Sequence, residues 1–150
     1  MRSIINLLLI AIMMGGCGST PSSTTQPTSA PTIGDAAALI GSRWNVLTIN
    51  GKPLVGSKPL PFVIESASQV SGDGGCNGYG GGITIDGTSM QIGPLVSTLM
   101  ACVEPGIQDQ ETALHQQFER VRSYQHTATH LTLLDAEGTA IITMVRQPTP

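Results

Sequence analysis

Residues 72–82 read GDGGCNGYGGG, so that seven of eleven consecutive positions are glycine. The run has neither the Gly-Lys-Ser/Thr ending of a phosphate-binding P-loop nor the G-x-G-x-x-G spacing of a dinucleotide-binding turn. Glycine in or beside a strand permits bulges, tight bends and close approach of two backbones. The stretch therefore predicts a strand that curls into a partial barrel.

Turn signals typical of β-hairpins lie on both sides of this run. Asn50-Gly51 follows a strand-like stretch at 44–49, and Asp86-Gly87 separates two stretches of alternating apolar residues. A third signal, residues 135–138, separates two further apolar stretches. Asn-Gly and Asp-Gly favour type I′ turns, because both central residues need positive φ. We predict a mainly β (α+β) fold, a curved antiparallel sheet of about six to eight strands.

One segment has helical periodicity instead. Its stripe recurs every three or four positions and consists of Ile107, Glu111, Leu114, Phe118, Val121 and Tyr124. Pro105-Gly106 marks its start, acidic residues fall in its first turn, and Arg120 and Arg122 fall in its last. We predict one amphipathic helix near residues 108–123, which closes one side of the curved sheet. Within it, we interpret Glu111 as a carboxylate that hydrogen-bonds the loop before the helix, with a functional acid as the alternative.

The N-terminal part predicts export. Residues 1–16 resemble a signal peptide, with Arg2 before an apolar run at 4–14 and two glycines before Cys17. That run is shorter than the roughly 20 residues of a spanning helix, although a short anchor or a buried helix is the alternative. Residues 17–35 then form a lipidated cysteine with a disordered Ser/Thr/Pro tether, residues 36–146 form one domain, and 147–150 form a tail.

Residues 14–17, Met-Gly-Gly-Cys, resemble a bacterial lipobox, which implies that Cys17 is diacylated and becomes the first residue of the mature chain. Two or three acyl chains anchor a protein stably where one does not, because each buried CH₂ contributes about 0.8 kcal/mol. We therefore expect a cell-envelope protein, on the periplasmic face of the outer membrane if the host is Gram-negative, since Gly18 is not acidic. A formal net charge of −3 without a basic stripe argues against nucleic acid as a partner.

Cys76 and Cys102 remain once Cys17 is lipidated. Two cysteines in an exported domain favour a disulfide, with two buried free thiols as the alternative. A catalytic thiolate would need a base such as His115, His126 or His130, but no nucleophile motif surrounds Cys76. The last two histidines lack the H-E-x-x-H pattern, so we interpret them as exposed turn residues and predict no metal site.

These residues together resemble the META/HslJ family. The resemblance covers about residues 40–145 and rests on Gly-Cys-Asn at 75–77, Thr-x-Met-Ala-Cys at 98–102 and the Glu-containing helix after them. Its motif positions are Trp44, Gly75, Asn77, Tyr79, Thr98 and Glu111. The resemblance implies a cracked antiparallel barrel with a helix on its open side, often on envelope lipoproteins. It also implies a fold similar to some secretion pilotins, which hold lipid or peptide groups in the crack.

Two functions follow as hypotheses, with an enzyme as a third class that no catalytic constellation supports. The first is a non-catalytic, stress-related accessory or binding role at the membrane surface, with another envelope protein as partner. The alternative is a small carrier that binds an apolar ligand or peptide in a groove lined by Ile83, Ile85, Leu114, Phe118 and Val121, residues that also suit a plain core. We expect a monomer that needs no cofactor.

Overall fold

The computed structural model describes residues 35–148, and the predictions on the signal peptide, on Cys17 and on the tether before Asp35 lie outside this range. The chain forms nine antiparallel strands and one helix, after a short 3-10 turn at Ala36–Ala38. The elements are β1 (Arg43–Ile49), β2 (Lys52–Pro53), β3 (Pro61–Ser66), β4 (Gln69–Asp73), β5 (Gly78–Asp86), β6 (Ser89–Ser97), α1 (Ile107–Arg120), β7 (Ser123–His126), β8 (His130–Leu134) and β9 (Ala140–Arg146). In this range, no helix has the length and apolar character needed to cross a membrane.

The strands form one ring-like sheet, which confirms the predicted mainly β class. Its order is β2-β1-β3-β4-β5-β6-β7-β8-β9, and a further pairing of β1 with β9 closes the ring. The strand count exceeds the predicted six to eight because the short β2 forms a hairpin with the end of β1. The weak point lies between β6 and β7, which share only the pair Ser89 and Ser123. Helix α1 connects these two strands and packs against β6 and β1.

The predicted hairpins form where the turn signals stand, with one difference in turn type. Asn50 and Gly51 have φ values of 51° and 71°, as a type I′ turn requires. In the β5–β6 hairpin Asp86 pairs with Ser89, so the two loop residues are Gly87 and Thr88. Only Gly87 of these two has positive φ, which is the pattern of a type II′ turn, so the predicted type I′ is wrong at this position.

The helix ends earlier than predicted. Val121 leaves the helical region with φ −59° and ψ 130°, and Arg122 donates its backbone N–H to Leu134 O instead of continuing the last turn. Tyr124, placed on the helical stripe by its spacing, lies in β7 opposite Leu133. Residues three apart fit a helix, but pairing with β8 satisfies more backbone groups than a frayed last turn would.

The core fills the inside of the ring and the contact with α1. Trp44 and Phe62 lie on neighbouring strands, are fully buried and are paired in register. The Phe62 ring stacks on that of Phe118 from the helix, with centroids 5.4 Å apart. Trp44 Nε1 donates to Ser42 Oγ at 2.7 Å, so its polar atom is satisfied inside the core. The aromatic contacts fix α1 over the sheet and thereby position the residues at its N-terminal half.

Candidate functional site

The glycine run forms the loop between β4 and β5, and it lets that loop approach α1 closely. A Cβ on Gly74 would lie 2.6 Å from Cγ of Glu111, and Gly75 has φ +112°, where side chains are strained. The Asp73 carboxylate accepts a hydrogen bond from the Gly75 N–H at 2.7 Å. It also forms an ion pair with Lys58, whose Nζ lies 2.9 Å from Oδ2. Asp73 therefore fixes the start of the loop, and the absence of a side chain on Gly74 lets the loop lie against the helix.

Glu111 is buried and binds this loop by charge-assisted hydrogen bonds. Its Oε2 accepts the backbone N–H of Asn77 at 2.7 Å and, more weakly, that of Cys76 at 3.4 Å. Its Oε1 accepts from Asn77 Nδ2 at 2.8 Å. The prediction that Glu111 caps the loop before the helix is wrong, because the loop it holds is the one between β4 and β5. The carboxylate is satisfied by three donors.

The Asn77 side chain also hydrogen-bonds a second loop, residues 98–106, which connects β6 to α1. Its Oδ1 accepts from Thr98 Oγ1 at 2.9 Å and from the backbone N–H of Met100 at 2.7 Å. A disulfide between Cys76 and Cys102, with Cα atoms 5.6 Å apart, joins the same two loops. The predicted disulfide is confirmed, and neither sulfur is a thiolate in this structure.

The second loop presents apolar side chains to solvent. Leu99 and Val103 are 98% and 92% exposed, Val96 at the end of β6 is 77% exposed, and Met100 is 60% exposed. No charged residue lies between positions 96 and 103. We call these four side chains the apolar rim. Exposed apolar side chains are common one at a time, but a group on one braced loop is typical of an interaction surface.

A groove separates this loop from the helix. Its volume is about 400 Å³. One wall is the end of β6 and the loop after it, and the other is the face of α1 that carries Gln108, Glu111, Thr112 and His115. His115 packs edge-on against the Tyr79 ring at 5.4 Å, and its buried Nε2 has no hydrogen-bond partner among the described residues. Burial and then the Asp73 carboxylate raise the pKa of the Tyr79 phenol, which stays neutral.

The comparison with known families decides what this arrangement is. The chain matches the META domain family over residues 37–148. It belongs to that family. No curated protein matches it closely enough to add a function. The META domain is not a family of known enzymes.

Two solved structures resemble the META domain described above. A protein solved by NMR is 21% identical with a TM-score of 0.58, and the match covers 73% of this chain and 92% of that one. A second NMR structure, of a protein from Burkholderia xenovorans, is 22% identical with a TM-score of 0.60, covering 87% of this chain and 100% of that one. At these identities the likeness shows the fold alone.

Five of the six motif positions of the META domain meet around the two loops. Gly75, Asn77 and Thr98 contact or adjoin the Glu111 network, and Tyr79 lies behind it under His115. Trp44 stands apart, because it is a core residue whose ring lies 5.1 Å from the Arg146 guanidinium carbon. Sequence reasoning missed the groove itself. The spacing of positions 108, 111, 112 and 115 on one helix face could have indicated it.

The five residues proposed for an apolar groove take part in the core packing of the META domain. Leu114, Phe118, Val121 and Ile83 are buried, and Ile85 is partly buried against them. A ligand between them would have to displace closely packed side chains, at a cost in cavity and strain energy. The structure therefore places them where a plain core would be.

The prediction for one of the histidines is wrong. His130 is exposed at the start of β8, as predicted, but His126 is buried at the end of β7 and stacks on Tyr124 with centroids 5.9 Å apart. Strand alternation explains this, because position 126 shares the inner face with 124. Residues 35–148 contain no cluster of three or more metal-ligating side chains.

Proposed function

We propose that this chain is an exported, lipid-anchored envelope protein whose META domain works by binding another envelope component, in a stress-related accessory role. The observation that carries the proposal is the braced loop 98–106. Hydrogen bonds and a disulfide hold it in place, and it presents an uncharged apolar rim to solvent.

The disulfide supports an extracytoplasmic location. Disulfides persist in oxidising compartments such as the periplasm and are rare in the cytosol. Cys76 and Cys102 are bonded to one another, which leaves Cys17 as the third cysteine of the sequence. That cysteine directly follows the signal-like segment, where acylation would convert export into anchoring.

The hydrogen bonding supports binding and not catalysis. A general acid or base must reach a substrate proton with an uncommitted atom. Both carboxylate oxygens of Glu111 already accept from Asn77, and Oδ1 of Asn77 already accepts from Thr98 and Met100. The polar groups at the centre of the site therefore hold the loop, and the loop presents the apolar rim to solvent.

Metabolic labelling tests the anchor. Cells expressing the full chain are fed an alkyne analogue of palmitate, and the purified protein is examined by in-gel fluorescence and intact mass. We expect label in the wild type, none in Cys17→Ser, and a mature mass that lacks residues 1–16. An unlabelled wild type that retains its full precursor mass in the cytosol would refute the anchor.

Complementation tests the binding role. A deletion strain is exposed to heat and detergent, then supplied with wild type, with Leu99→Asp combined with Val103→Asp, or with Thr88→Asp at the opposite hairpin turn. We expect the first and third to restore envelope integrity and the second to fail at equal expression. Full rescue by the rim variant would contradict a role for the apolar loop.

A further inference from the structure

Strand β6 has a free edge in the part of the chain that the structure describes. It pairs with β5 from Ser89 to Ser97, but with β7 through Ser89 alone. Pro94, which has no N–H, lies within this strand next to an irregularity in its register with β5. Proline and irregular register usually prevent an edge strand from pairing with another strand. The part of β6 that can still pair with a further strand is therefore the end beyond Pro94.

At that end, every second residue of β6 turns its backbone groups away from β5. Thr98 donates its N–H to Gly78 O at 3.0 Å, so by the alternation of an antiparallel ladder Val96 also bonds to β5. The N–H and C=O groups of Leu95 and Ser97 therefore face the free side. At Ser97 this side opens into the groove between β6 and α1 described above.

The groove offers a ligand neutral polar groups and no unpaired charge. Its lining includes the hydroxyl of Thr112, the amide of Gln108 and the imidazole of His115, while the Ser97 hydroxyl already donates to Gly78 O. The one carboxylate, Glu111, already has three N–H donors. The Nε2 atom of His115 is buried beside Tyr79 and has no partner among residues 35–148. The apolar rim borders the same groove through Leu99 and Met100.

We propose that a short, extended and uncharged segment of a partner protein adds to β6 along Leu95–Ser97 and lies between β6 and α1. Its main chain would pair with the free groups of β6, and apolar side chains on one face would cover the rim, as in β-strand addition generally. This inference deepens the proposed binding role and rests on it, but it does not depend on the lipid anchor.

The described start of the chain favours a partner protein over the chain's own N-terminal segment or the bilayer. The Asp35 carboxylate is close enough to raise the pKa of Tyr124, after burial, and the Tyr124 hydroxyl donates to Gly87 O. Asp35 therefore lies at the turn end of the β5–β6 hairpin, about 26 Å along nine residues from the groove end. The described chain therefore starts at the end of the hairpin away from the groove, so the anchor does not by itself bring lipid to the groove.

The segment before Asp35 is also a poor strand partner. Residues 19–32 read STPSSTTQPTSAPT, with three prolines that lack N–H donors and no large apolar side chain to cover the rim. The proposed segment needs backbone N–H donors to pair with β6 and large apolar side chains to cover the rim. Self-association through two β6 edges uses the same backbone groups, and the experiment below separates it from binding of a partner.

The test uses the full chain, purified in detergent, and a random peptide library displayed on phage. Peptides selected on the wild type are synthesised, and their affinity is measured for Ser97→Pro and Ser97→Ala. The first variant removes an edge N–H, while the second removes only the hydroxyl that donates to Gly78 O. We expect peptides with alternating apolar residues that bind Ser97→Pro about tenfold more weakly and Ser97→Ala nearly as well as wild type.

Leu99→Asp provides a second measure that does not disturb β6, since its side chain is almost fully exposed. We expect about tenfold weaker binding, with Thr88→Asp unchanged. Equal affinity for Ser97→Pro and wild type would overturn the proposal, as would a library that yields no binders. A photocrosslinker at position 99 that captures only lipid or a second copy would also overturn it. Palmitate labelling of Cys17 is independent of all these results.

Discussion

Replacement of Asn77 by alanine should remove the connection between the two loops. Asn77 is 4% exposed, and its side chain makes one hydrogen bond to the Glu111 carboxylate and accepts two others, from Thr98 and Met100. Neutral hydrogen bonds contribute about 1 kcal/mol each and those to a charged group about 1.5–3 kcal/mol. We expect Asn77→Ala to lower the free energy of unfolding by about 4 kcal/mol, a large fraction of the roughly 5–15 kcal/mol of a typical domain.

The single tryptophan provides the assay. Trp44 is fully buried in the core, far in sequence from the substitution, so its fluorescence reports global unfolding. Guanidinium titrations of wild type and variant give the free-energy difference, and thermal scans should show a midpoint lower by about 15 °C for a domain of this size. Both proteins are kept oxidised, so that the disulfide is the same in each.

Thr98→Ala is the matched control, since it removes one of the three bonds and leaves the Glu111 contact intact. It should cost about 1 kcal/mol. If Asn77→Ala costs no more than this control, the amide does not hold the loops together and the reasoning about the network fails.

Three further predictions concern the same region. Replacing Cys76 and Cys102 together by alanine should cost about 3–4 kcal/mol in guanidinium titrations, because the bond closes a loop in the unfolded chain; an unchanged midpoint would contradict this. Gly74→Ala should cost at least about 2 kcal/mol by the same assay, because its new methyl would lie 2.6 Å from the Glu111 side chain on the helix. Gly82→Ala is the control, since its methyl would have no neighbour nearer than 3.9 Å, and it should change stability by less than about 1 kcal/mol. The pKa of Tyr79 is raised by burial and then by a nearby carboxylate, so stability is complete below about pH 10 and is lost as pH rises above it. Tyrosinate absorbance should therefore appear together with unfolding, and Tyr79→Phe should move that transition to higher pH.

The sequence predicted the parts of the fold that depend on local chemistry. Asn50-Gly51 forms the expected turn because positive φ is required at both positions and these residues tolerate it. The apolar stripe from Ile107 to Phe118 forms the expected helix. Its end was wrong because Val121 and Tyr124 continue the spacing of the stripe, while the strand pairing that captures Tyr124 is a contact distant in sequence.

The site was predicted in its residues but not in its geometry. Gly75, Asn77, Thr98 and Glu111 were all named as motif positions, yet the loop that Glu111 binds could not be found by spacing, because 34 residues separate it from Asn77. The glycine run indicated close backbone approach without its partner. The structure supplies the partner of this close approach, because Gly74 lies beside the Glu111 side chain.

The cost of this arrangement argues for a binding surface. Burying a carboxylate is expensive unless its donors are in place, and Glu111 receives them from a loop that needs glycine at two positions to reach it. The outcome of these contacts, together with a disulfide, is that Leu99 and Val103 stay exposed instead of collapsing onto the domain. An unbraced apolar loop would gain by folding back. Ordering it in advance lowers the entropy lost when a partner covers it, which is how preorganisation raises affinity without adding contacts. The same order keeps the free edge of β6 open beside the groove, so a segment that pairs with Ser97 would meet the apolar side chains already in place.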